Sequence, residues 1–131
     1  MKKRLKASVM AVTAALLIPT SAFAASTTVL WGGNITGTST GSYTPTVKAG
    51  GNTVQACVSN NTSGNTIVAT MYEVDDKSSS NMGSIKFTST SACISKSLSG
   101  WKDGSNNKAE IRVKITSAKK KIVYVKIKDI K

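Results

Sequence analysis

The chain contains no histidine. That absence removes the usual general base, the usual zinc ligand and every Ser-His or Cys-His pairing. Acids are scarce too: Glu73, Asp75, Asp76, Asp103, Glu110 and Asp129 stand against 18 basic residues. A glycosidase would have to draw its two carboxylates from these six. Only Glu73 and Asp75 share a strand face, and at a strand end such a pair is ordinarily a solvated edge. There are two cysteines, Cys57 and Cys93, without C-x-x-C spacing, so no redox motif and no metal site is expected from them. S-x-x-K at Ser99–Lys102 and at Ser117–Lys120 lies in turn-like sequence rather than on the helix that chemistry uses. The stretch Asp103 to Asn107 lacks the glycine of a calcium loop at its sixth place and sets Lys114 where the bidentate glutamate belongs. The chain therefore reads as non-enzymatic, with no catalytic, cofactor or metal residue expected.

Long apolar runs are also missing, with one exception. Ala7 to Ile18 is apolar, follows Lys2, Lys3, Arg4 and Lys6, is broken by Pro19 and is followed by Ala22-Phe23-Ala24. A basic start, a short apolar core and an A-x-A site describe a secretory signal peptide of bacterial type, too short to span a bilayer. Cleavage is expected after Ala24, releasing residues 25–131 as one small secreted domain with no transmembrane segment. In an exported chain the two cysteines read as a single disulfide, Cys57–Cys93. Closing a loop of that length contributes about 4 kcal/mol through the unfolded state.

Helical spacing of apolar residues is absent beyond residue 24, and Thr, Ser, Val and Gly dominate. Short alternating stretches separated by turn clusters predict an all-β fold, a small antiparallel β-sandwich of Ig-like or jelly-roll-like form. A true immunoglobulin domain sets a Trp between its cysteines, whereas Trp31 and Trp101 both lie outside Cys57–Cys93. Residues 25–51 are Gly-, Ser- and Thr-rich: a short strand at Val29–Trp31 is expected to stop at Gly32-Gly33-Asn34, and Pro45 confines Tyr43–Val47 to an edge. This region reads as an arm docked through Trp31. Thr53–Ser59 and Thr66–Val74 are expected to form a hairpin across the turn NNTSGN, with the second strand central in its sheet. Asp75–Met82 is read as a polar loop, with strands near Ser84–Thr88 and Ser91–Leu98.

What the chain has in plenty is positive charge at one end of the sequence. The first 24 residues hold four of the 18 basic residues and no acid, leaving fourteen against six, a balance of +8. Lys108–Lys131 alone holds nine basic and two acidic residues, a balance of +7. It reads KAEIRVKITSAKKKIVYVKIKDIK, two alternating runs around three lysines. Ile111, Val113 and Ile115 point one way and Arg112, Lys114 the other; Val123, Val125 and Ile127 then repeat the pattern against Tyr124, Lys126 and Lys128. As a hairpin, the register that keeps like charges apart sets Glu110 beside Lys126 and Arg112 beside Tyr124. The turn is its weak point, since Ser117-Ala118-Lys119 has no Gly or Asn; the alternative is an arch between two sheets. The hairpin would line Arg112, Lys114, Tyr124, Lys126 and Lys128 on one face, with Lys119, Lys120 and Lys121 at its tip. Such a face suits a polyanion: anionic cell-wall polymer, lipid headgroups, acidic polysaccharide or extracellular DNA. The other functional readings are an antimicrobial, bacteriocin-like protein acting on anionic membranes and an inhibitor or ligand of a secreted partner. Lysines that merely blunt an edge and keep the protein soluble would look the same in sequence.

Overall fold

A computed structural model describes residues 26–76 and 78–131. The expected signal peptide and its cleavage site fall outside the described residues. Nine strands form among the described residues: β1 (Thr27–Gly37), β2 (Ser42–Tyr43), β3 (Val47–Ala49), β4 (Thr53–Ser59), β5 (Ile67–Val74), β6 (Ser79–Phe87), β7 (Ala92–Ser97), β8 (Ala109–Ser117) and β9 (Lys121–Ile130). They make two antiparallel sheets, one in the order β1-β9-β4-β7 and the other β2-β8-β5-β6, with β3 also pairing β8. The chain is all-β, as its alternation predicts, and the inner faces close on one core. Val54, Ala56, Ile67, Ala69, Met71, Ile111, Val113, Ile115, Val123, Val125 and Ile127 are fully buried there. β5 is central, between β8 and β6.

Two hairpins expected from the sequence do not exist. β8 and β9 belong to different sheets, and so do β4 and β5. The period-two pattern says that Ile111, Val113 and Ile115 are inward and that Val123, Val125 and Ile127 are too; it does not say whether the two rows lie side by side or face to face. For β8 and β9, connection chemistry favours the second. Residues 118–120 offer no cheap left-handed position, so the chain crosses the core edge as an arch rather than reversing within a sheet. Of the directly consecutive strands, β5 and β6 pair as a hairpin. Its second strand begins at Ser79, so the polar loop is shorter than Asp75–Met82.

The amino-terminal stretch is built into both sheets instead of forming an arm. β1 runs through Gly32, Gly33 and Asn34 and pairs with β9 from Thr27↔Ile130 to Gly37↔Lys121. The glycines do not stop the strand because aromatic rings fill the space their side chains would need. A Cβ on Gly32 would come within 2.5 Å of the Tyr124 hydroxyl, and one on Gly33 within 2.7 Å of the Trp31 ring. At the other sheet's edge, Pro45 separates β2 from β3, as a residue without an amide donor should. Thr44 keeps the pairing on the near side: its amide donates to the Val113 carbonyl at 2.9 Å and its Oγ1 accepts from the Val113 amide at 3.0 Å.

The two cysteines form the expected disulfide. It joins directly opposed residues of neighbouring strands, Cys57 on β4 and Cys93 on β7, and so staples one sheet rather than tying two together.

Candidate functional site

Because β8 and β9 lie in separate sheets, the single basic face expected from them does not form. Arg112 and Lys114 stand on the outer face of the β2-β8-β5-β6 sheet. Tyr124, Lys126 and Lys128 stand on the outer face of the other, with the core between. Lys119, Lys120 and Lys121 stay together at the arch, Lys121 as the first residue of β9.

On the first outer face, Arg112 is opposite Tyr72, and Lys114 is opposite Tyr43 and Thr70. The Arg112 guanidinium carbon lies 4.1 Å from the Tyr43 ring centroid, and the Tyr43 and Tyr72 centroids are 6.1 Å apart. Arg112 Nη2 donates to Ser79 Oγ at 3.1 Å. This arginine is thus held between an aromatic ring and a serine, a cation–π arrangement that fixes it to the sheet. Sequence reasoning missed Tyr72, which alternation alone marks only as outward. Trp31 and Trp101 pack against the core.

On the second outer face, Lys126 is opposite Gly32 and Cys57, and Lys128 is opposite Val29 and Gln55. None of these neighbours is an acid, and Tyr124 folds toward Gly32. The disulfide shares this face, with Cys93 exposed.

The arch is pinned from several sides. Ser117 N donates to the Thr38 carbonyl at 2.9 Å, Ala118 N to the Thr66 carbonyl at 3.0 Å and Lys119 N to Asn65 Oδ1 at 3.2 Å. Ser117 Oγ donates to the Lys119 carbonyl and accepts from Asn65 Nδ2 at 3.0 Å. Asn61 Nδ2 in turn donates to the carbonyls of Asn65 at 2.7 Å and Ser89 at 2.9 Å. Three connections, 60–66, 88–91 and 118–120, are thereby locked at one end of the sandwich. Lys119–Lys121 and Thr62–Asn65 line a groove of about 350 Å³. On the other side Lys120 and Lys121 border a shallower depression with Thr36 and Ile122, and Ile122 is 60 % exposed. The connections around the lysines are Ser-, Thr- and Asn-rich and carry no acid.

The acids collect at the far end. Asp75, Asp76, Asp103 and Glu110, together with Lys48 and Asn106, border an open cleft of about 720 Å³. Glu73 lies beside it, buried, with oxygens of Glu73, Asp103 and Glu110 all within 4.8 Å of one another. Burial, then the charges of Asp75, Asp103 and Glu110, push the Glu73 carboxyl up to about 6. The sequence suggested only Glu73 with Asp75. The others join them because β8 runs antiparallel to β5, with Glu73 opposite Ile111, next to Glu110. Between Glu73 and the opposite end of β5 at Ile67 the strand rises about 20 Å. Charge is therefore separated along the strands, acids at one end and the lysine arch at the other.

A family model described as "YndA coiled coil domain" matches residues 31–127. The chain belongs to that family. The match runs from Trp31 in β1 to Ile127 in β9 and so takes in most of both sheets. The description's coiled coil has no counterpart here, since the matched span contains no helix among the described residues. No curated protein and no solved structure matches the chain.

Proposed function

We propose that this is a secreted, non-enzymatic protein that holds a polyanionic component of the cell envelope or extracellular matrix at its lysine arch. The observation that carries this reading is the segregation of charge. Five of the six acids, Glu73, Asp75, Asp76, Asp103 and Glu110, stand at the end remote from Lys119–Lys121. At about 0.15 M salt the Debye length is roughly 8 Å, so those acids contribute little to the potential at the arch. The arch therefore presents an unneutralised cationic tip, and the hydroxyl- and amide-rich loops beside it offer donors to phosphate or sulfate oxygens. Arg112, Lys114, Lys126 and Lys128, split between two outer faces, supply background charge that steers approach rather than a shared contact, and Tyr124 stands uncharged among the last two.

A second reading is favoured by Ile122. An exposed aliphatic side chain beside Lys120 and Lys121 suits an anionic membrane surface, where apolar and cationic groups bind together.

The test uses the exported form, residues 25–131, on isolated cell walls and on anionic phospholipid vesicles across a salt series. Lys119, Lys120 and Lys121 changed together to Gln should abolish low-salt retention on walls, while Lys126 and Lys128 changed to Gln should reduce it only modestly. Unchanged retention of the arch variant sinks the proposal. Preferential loss on vesicles, matched by Ile122→Ser, transfers the function to the membrane.

A further inference from the structure

We propose that the acidic end is a calcium site, with Glu73, Asp103 and Glu110 as protein ligands. This goes beyond the polyanion reading and does not depend on it, since it concerns the opposite end of the molecule. Carboxylates gathered on a surface do not by themselves make a site, and the argument turns on Glu73. It is 3 % exposed, yet its Oε1 has no hydrogen-bond donor among the described residues. A buried carboxylate oxygen left without a donor is costly, more so among like charges. A bound cation is the partner that corrects both defects at once.

Position strengthens the case. Glu73 follows Ile67, Ala69 and Met71 in the inward-facing set of β5, where alternation would put another apolar residue. Its carboxylate instead meets Asp103, from the β7–β8 connection, and Glu110, from the start of β8. Ligands from three segments, two of them strands, give a fixed geometry of the kind a metal needs.

The spacing admits calcium. The three oxygens lie within 4.8 Å of one another. Calcium holds oxygens at about 2.3–2.6 Å, so ligands across the ion are up to about 5 Å apart; magnesium, at about 2.0–2.1 Å, wants a tighter and more regular shell. All-oxygen chemistry excludes the softer metals as preferred occupants. The adjoining cleft admits water, and Asp75, Ser78 and Asn106 border it as additional oxygen donors. Lys48 borders the same cleft and is the competing internal cation. Three carboxylates against a divalent ion leave an excess negative charge that Lys48 can balance. The burial and repulsion that push the Glu73 carboxyl up to about 6 mark the same deficit that the ion would relieve.

The experiment is calorimetric titration of residues 25–131 with calcium chloride alone, after exhaustive chelation, with a parallel melting series in calcium and in magnesium at matched ionic strength. One calcium per chain is expected, with Tm raised by about 10 °C at a hundredfold excess over Kd and a clearly smaller response to magnesium. Glu73→Gln removes the buried charge without changing shape, should fold at least as well in chelator, and should weaken calcium binding at least tenfold. Asp103→Asn, at an exposed position, should weaken binding with little effect on the calcium-free Tm. Absence of any calcium-specific Tm shift up to about 10 mM, roughly tenfold above the weakest extracellular sites, overturns the proposal. So does a calcium response undiminished in Glu73→Gln and in Asp103→Asn.

Discussion

Asp129 accepts hydrogen bonds from two consecutive backbone amides, Gly50 at 3.1 Å and Gly51 at 2.9 Å. The carboxylate is buried at the end of β9 and closes the turn between β3 and β4 across almost eighty residues of sequence. It is a charge satisfied by peptide dipoles, and its loss leaves two amide donors without an acceptor. Asp129→Ala is expected to cost about 2–3 kcal/mol, read as a lower urea midpoint at unchanged slope. Gly51→Ala should be as damaging, since a Cβ there would collide with Asp129 and come within 2.6 Å of the Ile130 carbonyl oxygen. A loss below about 0.5 kcal/mol, ordinary for a surface change, would remove Asp129 from the list of structural anchors.

The disulfide joins residues 36 apart in sequence. In the loop-closure account it stabilises the fold by about 4 kcal/mol, which for a domain near 100 residues corresponds to a Tm loss of roughly 15 °C or more on reduction. Cys93 is exposed on an outer sheet face, so a small thiol reaches it without unfolding the chain. Brief treatment with dithiothreitol in native buffer should therefore render both cysteines alkylatable while the sheet signal in circular dichroism persists. If alkylation appears only together with loss of that signal, the bond is protected in a way its exposure does not suggest.

Glu73 sets a pH dependence whose sign is opposite to that of a salt-bridged acid. Its carboxyl is raised from 4.5 to about 6 in the fold, so the folded chain holds this proton more tightly than the unfolded one. Protonation favours folding: the contribution is complete below about pH 4.5 and is lost as pH rises through about 6. A gap of this size is worth on the order of 2 kcal/mol. Metal-free wild-type protein should lose that much relative to Glu73→Gln between pH 4.5 and 6.5, in urea melts at constant ionic strength. Parallel curves for the two proteins would show that Glu73 titrates normally.

How much of this could be read in the chain follows from what kind of information alternation carries. Ile111, Val113, Ile115, Val123, Val125 and Ile127 were legible as core because inward and outward places alternate whatever the partner strand is. The disulfide was legible for a similar reason, being the only pairing two cysteines allow. Which sheet a strand joins was not, since a hairpin and an arch bury the same residues. That single ambiguity separated Lys114 from Lys126 and hid the meeting of Glu73, Asp103 and Glu110. Gly32 and Gly33 misled because their room is taken by Tyr124 and Trp31, and nothing near Asp129 in sequence sets it apart from the other five acids because its partners, Gly50 and Gly51, lie far away in the chain.

Asn65 offers a way to tell position from charge at the lysine arch. Its side chain donates to Asn61 Oδ1 at 2.9 Å and Ser117 Oγ at 3.0 Å, and accepts from Lys119 N at 3.2 Å. Asn65→Ala removes no charge but frees the arch from the 60–66 connection. The expected loss of stability is about 2–3 kcal/mol, with faster amide exchange concentrated at Lys119 and its neighbours. If polyanion retention depends on the three lysines being held together, it should weaken in Asn65→Ala at low salt, in protein that is still folded at the temperature of the assay. A purely diffuse attraction to net positive charge would leave retention as it was, because every lysine is still present. Retention unaltered alongside faster exchange at Lys119 would therefore assign the binding to overall charge and deny the arch a specific part in it.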